Sequence, residues 1–238
     1  MLWGIIASWV QVPTGIFNAS RQYDNCKQST LTYGTGLELQ KHGLSILLTP
    51  PSGNLNMLVQ DAQREVRTVF VGGFWGQLVS SAIWLVSAAL GSWRTPRAAI
   101  LSLVLSGFLI FPITLLLLRL TGGPASLSRD NPLGNLGMQI AFTLPMTMLL
   151  LVPVTAVRLN WFYPALMVLL GAHYLPFTFL YGMRMFIPLC SILVASGVVI
   201  ALYFSGLFSQ GGWIGGAALF IFARIGRASV QTELRGEG

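Results

Sequence analysis

From Thr68 onward the chain is a series of apolar runs separated by short polar breaks. Thr68–Leu90 carries no charge and, at about 1.5 Å per helical residue, is long enough to cross a hydrocarbon layer of about 30 Å. Ala98–Leu118 is the most apolar run, with eight Leu, three Ile and two Phe. Arg119–Leu136 breaks the pattern with Gly122, Gly123, Pro124, Asp130, Asn131 and Pro132, residues that each favour turns for their own steric or hydrogen-bonding reason. Gly137–Val157 and Trp161–Tyr181 follow, parted by Arg158 and Asn160, which predicts a tight hairpin. Met185–Phe208 is the fifth run. Gly212–Ile225 is the sixth, and its 14 residues cross only with help from their flanks, or else form a buried or re-entrant helix. The pattern predicts an all-α fold: a polytopic membrane bundle of six transmembrane helices, the sixth one short.

The first 56 residues differ in kind. Leu2–Val10 is apolar but too short to span, and no Lys or Arg precedes Arg21 to make the basic start of a signal peptide. The remainder is rich in Ser, Thr, Gly and Asn. Met57 reads as a more conventional beginning, with Asp61, Arg64, Glu65 and Arg67 on a short charged helix leading into the first span. The expected organisation is therefore a poorly ordered or extraneous extension over 1–56, a six-helix domain over 57–227 and a flexible tail over 228–238. The rival reading of the extension is a native segment whose Leu2–Val10 lies in the membrane interface.

Composition agrees with the pattern. Charged residues make up 9% and hydrophobic residues 54% of the chain, too few charges to wet a soluble surface. The net charge of +7 does not point to nucleic acid, because the basic residues stand singly between apolar runs, as loop charges that orient membrane helices do. With six spans, Arg64, Arg67, Arg119, Arg129, Arg184, Arg224, Arg227 and Arg235 share one side, against Arg94, Arg97 and Arg158 on the other. That bias predicts both termini in the cytoplasm. Cys26 and Cys190 have no metal-type spacing, no cofactor motif occurs, and two histidines cannot build a multi-histidine metal site within one chain.

Lipid tails are as apolar as Leu, so membrane helices associate by close packing and a few hydrogen bonds. Small residues recur at four-residue spacing in Gly72, Gly76 and Ser80, in Gly197, Ala201 and Ser205, and in Gly211, Gly212, Gly215 and Gly216. Tight helix contacts are the expectation there. Pro112, Pro145, Pro153 and Pro176 lie inside spans, and each frees a carbonyl four residues back. No Asp, Glu or Lys falls within a span, which argues against ion-coupled transport.

One segment carries candidate chemistry. His173 is the bundle's only histidine, and at about 100° per residue His173, Phe177, Leu180 and Arg184 share a helix face, with Tyr181 near its edge. His173, Tyr174, Phe177, Tyr181 and Arg184 are the candidate ligand-lining residues, suited to an anionic or polar molecule. The competing reading is that His173 bonds to a carbonyl or hydroxyl of a neighbouring helix and holds the packing together.

Asn131-Pro132-Leu133-Gly134, together with Gly171-Ala172-His173-Tyr174-Leu175-Pro176-Phe177 and Leu180-Tyr181, resembles an uncharacterised bacterial membrane family, domain of unknown function 7010. The likeness runs from about Met57 to Arg227 and leaves out 1–56. It implies a multi-pass bundle in the bacterial inner membrane, with Asn131, Pro132, Gly134, Gly171, His173, Pro176 and Tyr181 at its motif positions, and no activity. Three functions are weighed. One is binding or transport of a small polar or lipid-like molecule. The second is a structural or regulatory subunit packing through glycine faces, as a homo-oligomer or with a membrane partner. The third is an enzyme with His173 as base, disfavoured because neither an orienting carboxylate nor a nucleophile accompanies it.

Overall fold

A computed structural model describes residues 52–123 and 126–236. The expectations for 1–51 lie outside the described residues. The fold is an all-α bundle. Helix α1 is Ser52–Val69; α2, Phe74–Trp93; α3, Pro96–Gly107; α4, Ile110–Leu120; α5, Leu133–Thr147; α6, Leu151–Val157; α7, Phe162–Tyr174; α8, Phe177–Tyr181; α9, Phe186–Tyr203; and α10, Gln210–Arg235. Among the described residues there is no strand.

Hydrogen bonds between distant residues fix the path. α1 ends in a sharp corner where Val71, Gly72 and Gly73 all take positive φ, a region that glycine enters at little cost. α2 then runs away from α1. The chain is back beside α1 when Ser128 donates to Glu65, so α3 and α4 together traverse the bundle. α5 and α6 lead to the far end, where Asn160 Nδ2 donates to the Ser205 carbonyl. α7 and α8 return, since the Phe179 and Tyr181 carbonyls accept from Gln63 and Arg67 of α1. α9 departs and α10 returns, closing with the Arg67–Glu233 ion pair. The described chain therefore passes through the bundle six times.

Five segments are long and apolar enough to cross a membrane: Val71–Trp93, Leu133–Val157, Leu159–Tyr181, Phe186–Tyr203 and Gln210–Arg235. Two expectations need correction. Ala98–Leu118, the most apolar run, is not one helix but α3 and α4 meeting at 54°. Pro112 has no amide to give the Phe108 carbonyl and its ring crowds that oxygen, so the helix opens at Phe108 and Leu109. The sixth segment is not short. α10 has 26 residues and continues through 228–235, where the sequence suggested a loose tail. The apolar run stops at Arg224, but Arg, Ala, Gln and Glu are good helix formers, and the helix follows propensity rather than greasiness.

Glycine sets the distances. α10 lies against α2 and α7 through Gly211, Gly212, Gly215 and Gly216. A Cβ on Gly212 would come 2.8 Å from Ala88 Cβ and from the Tyr163 ring, and one on Gly216 would come 2.8 Å from Leu85. Gly72 and Gly226 face each other so closely that a Cβ on either meets the other's carbonyl oxygen, at 2.7 and 2.8 Å. Gly197 of α9 meets the Pro164 carbonyl at 2.7 Å in the same sense. The stripes differ from expectation at their ends: Gly72 lies in the corner before α2, and Ser205 lies beyond α9. Buried hydroxyls complete the contacts. Ser81 donates to the Gly216 carbonyl at 2.8 Å, and Ser87 donates to the Ala99 carbonyl at 2.8 Å while meeting the Tyr163 hydroxyl at 2.6 Å.

Gly197→Ala is expected to destabilise the folded protein by about 1–3 kcal/mol, because the Pro164 carbonyl is backbone and cannot swing aside. Gly107→Ala, with open space around the new methyl, should be neutral or slightly stabilising. Thermal unfolding in lipid nanodiscs measures both. Equal losses at the two positions would mean that helix proximity is not what the glycines supply.

Candidate functional site

The five candidate lining residues do not all come together. His173, Tyr174, Phe177 and Tyr181 lie together on α7 and α8 around Phe186 of α9. Tyr174 stacks on Phe186 at 6.1 Å, Phe177 stacks on Tyr181 at 5.7 Å, and His173 meets Phe177 edge-on at 5.2 Å. Arg184 is not with them. The helical projection that joined it to His173 fails because α7 breaks at Leu175 and Pro176 and α8 ends at Gly182 with φ of 63°. Arg184 is exposed beyond that turn. The Ala172 carbonyl that Pro176 leaves free is taken by the amide of Leu175 at 3.3 Å.

Within the aromatic group, His173 and the two tyrosines face different ways. His173 Nδ1 lies 3.1 Å from Thr143 Oγ1 on α5. Thr143 gives its only hydroxyl proton to the Ile140 carbonyl at 2.7 Å, so the bond to the ring runs from Nδ1–H, and Nε2 carries the lone pair. His173 thus ties α7 to α5. Tyr174 and Tyr181 point inward and are buried. Tyr174 meets Ser80 of α2, and the Tyr181 hydroxyl lies 3.7 Å from where a Cβ on Gly73 would stand.

Gln77 and Ser80 lie three residues apart on one face of α2, and Gly73 stands just before that helix. Gln77 is 2% exposed, and neither its amide nitrogen nor its amide oxygen has a hydrogen-bond partner. Thr178 Oγ1 on α8 is buried and unpartnered as well. Buried, unsatisfied polar groups therefore stand on α2 and on α8, the elements that also carry Ser80 and Tyr181. The sequence reading missed Gln77. The available sign was a glutamine inside a span on the face that also carries Ser80, Ser81 and Ser87. Among the described residues, no three His, Cys, Asp or Glu side chains come together as a metal site needs.

A second polar group holds the α1 end of the bundle. Asn131 Nδ2 donates to the Ala62 carbonyl at 3.1 Å and to Glu65 at 2.8 Å, and its Oδ1 accepts the amide of Leu133 at 2.9 Å. Pro132 caps the start of α5. A Cβ on Gly134 would stand 3.9 Å from Leu127, an ordinary contact. The motif loop is thus a clasp between α1 and α5. Arg67 extends the clasp: its Nε and Nη2 grip the Glu233 carboxylate at 3.2 and 2.7 Å, and Nη1 donates to the Tyr181 carbonyl at 2.9 Å. Arg227, farther up α10, lies over the ring of Phe74 at 4.8 Å.

The amide of Ser128, the side chain of Asn131 and the hydroxyl of Ser128 hold the Glu65 carboxyl below its ordinary range. A depressed carboxyl pKa stabilises the clasp above the unfolded value of about 4.3, and this contribution is lost as pH falls through the folded pKa. Limited proteolysis of the 126–131 loop should therefore quicken as pH drops below about 4.3. Glu65→Gln should cut equally fast at neutral and acid pH. A pH response unchanged in Glu65→Gln would locate the titrating group elsewhere. Asn131→Ala, which opens the same clasp without titrating, is expected to cost about 1–2 kcal/mol by thermal unfolding.

No curated protein and no solved structure matches the chain. Residues 59–226 match a family of unknown function, DUF7010. That stretch takes in much of α1 and more than half of α10 with everything between, including the clasp, the aromatic group and Gln77, and the chain therefore belongs to the DUF7010 family.

Proposed function

We propose that this chain is a multi-pass membrane protein that binds a small uncharged polar molecule in the bundle interior, between α2, α7–α8 and α9. The observation that carries this reading is Gln77. Leaving a buried amide donor and acceptor unpaired costs about 1–3 kcal/mol for each group, and no water from the bilayer core relieves it. A molecule able to accept from Nε2 and donate to Oε1 recovers that cost on binding. Tyr174, Tyr181, Ser80 and Thr178 add hydroxyls that serve either role. No Asp, Glu, Lys or Arg takes part in this group, so the ligand carries no net charge; small amides, ureas and polyols have the required mixture of donors and acceptors. His173 supports the site from outside by holding α7 to α5, and Arg184 has no part in it.

The α1 end is the cytoplasmic end in this proposal. The hydrogen bonds that trace the path gather Arg64, Arg67, Arg129, Arg184 and the end of α10 there, while Arg94 and Arg158 stand at the other end. An excess of arginine on one side is what sets membrane orientation.

Gln77→Leu removes the unsatisfied amide at nearly constant volume. It is expected to raise thermal stability in nanodiscs by about 1–3 kcal/mol. A thermal-shift panel of urea, acetamide, glycerol and erythritol should then raise the melting temperature of the wild type with at least one solute and leave Gln77→Leu unmoved. A variant less stable than the wild type, or one with the same solute response, would end this reading. For sidedness, in the chain with Cys26→Ser and Cys190→Ser, a single cysteine introduced as Arg158→Cys should react with an impermeant maleimide on intact cells, and one introduced as Arg129→Cys only after lysis. The opposite pattern would invert the orientation.

A further inference from the structure

The span made by α5 and α6 differs from the other spans in what it shows to its surroundings. Only 11% of its most apolar window is buried, against 28% for α9 and 44% for α2, for α7–α8 and for α10. Low burial alone suits a helix facing lipid. The exposed face of α5, however, is not wholly apolar. Asn135, Gln139 and Thr143 follow at four-residue spacing, all exposed, alongside Met138, Phe142 and Met146. Thr143 is satisfied by the Ile140 carbonyl and His173. Asn135 and Gln139 have no hydrogen-bond partner among the described residues. Gln139 stands about 9 Å along the helix from Leu133, in a span of 25 residues, and so lies inside the hydrocarbon.

The α3–α4 pair is the informative contrast. It too is widely exposed, through Leu101, Leu105, Phe108 and Leu116, yet it has no Asn, Gln or His between Ala98 and Leu118. Thr114 there bonds to its own helix. Every exposed side chain between Ala98 and Leu118 is apolar, so that face needs nothing beyond lipid. The α5 face presents a carboxamide to a medium that cannot hydrogen-bond it.

We infer that the Asn135–Gln139 face of α5 is where a second copy of this chain docks. A carboxamide both donates and accepts, so across a two-fold axis Gln139 pairs with Gln139 of the other copy, and Asn135 lies one turn away to do the same. No charged residue occurs between Leu133 and Val157, so two identical faces approach without repulsion and give a charged partner helix nothing to pair with. Met138 and Met146 supply side chains that adapt to a like surface. Interhelical hydrogen bonds of this kind steady membrane helix pairs.

The test uses the full chain with Cys26→Ser and Cys190→Ser, reconstituted in liposomes at low protein density. Phe142→Cys, on the same face with Gln139 left in place, should form a disulfide-linked dimer under mild oxidation, whereas Leu105→Cys on α3 should not. In the otherwise native chain, Gln139→Leu should weaken dimerisation, read by energy transfer between labelled copies, roughly tenfold, and Gln139→Asn should recover part of the loss. The inference is overturned if the native chain stays monomeric as protein density rises. It is equally overturned if the Phe142→Cys variant cross-links no better than the Leu105→Cys variant, or if Gln139→Leu dimerises as the native chain does. Capture of a different membrane protein by a chain that does not pair with itself would overturn it too, and assign the face to that partner instead.

Discussion

In hydrocarbon, two apolar helices gain almost nothing by touching in place of touching lipid. What keeps them together is how closely their backbones approach and how few polar groups they leave stranded. The bundle meets both demands in one place. α10 presents Gly211, Gly212, Gly215 and Gly216 to α2 and α7, and at that separation Ser81 reaches across to the Gly216 carbonyl. On the same α2, Gln77 is 2% exposed, and the Tyr181 hydroxyl stands 3.7 Å from where a Cβ on Gly73 would be. The interior polar group thus lies in a bundle whose helix spacing the glycines set.

The α1 end works by a different physics. Its side chains are partly wet, and charge-assisted bonds replace close packing. Arg67 joins three separate parts of the chain, since it belongs to α1, grips Glu233 at the end of α10 and caps the Tyr181 carbonyl at the end of α8. Each bond is modest alone, because Glu233 is 38% exposed and solvent screens it. Their joint effect is geometric. The carbonyl orphaned where α8 stops at Gly182 finds a donor, and α8, which carries Tyr181, is held at a fixed angle to α2. A packed interior and a charged clasp therefore meet at the same tyrosine, through its hydroxyl on one side and its carbonyl on the other.

The spans were legible because composition alone decides them: a chain with 9% charge cannot hide its apolar runs in water. The motif loop was legible as a place, Asn131 to Gly134, but not as a clasp on Glu65, since 66 residues separate those partners and nothing local announces the pairing. Arg184 was misplaced for a specific reason. A helical wheel assumes one unbroken helix, and Pro176 and Gly182 interrupt it twice before Arg184 is reached. The same assumption hid the bend at Phe108. α10 was underestimated because apolar length stood in for helix length, and the two part company once arginine and alanine continue the turn. Gln77 escaped because an amide on a small-residue stripe looks like one more packing residue until its partners are sought and found missing.

Two carboxamides on spans, Gln77 and Gln139, carry the proposals, and their positions make them opposites. Gln77 is enclosed by its own chain, so whatever satisfies it must enter, and this limits the occupant to something small. Gln139 faces outward, so whatever satisfies it must be broad enough to lie along a helix, and this points to protein. Neither could exchange roles with the other, because burial sets the size of the partner while the amide sets only its chemistry. His173 stands on the same helix as Tyr174 and is bonded to Thr143, on the same face of α5 as Gln139.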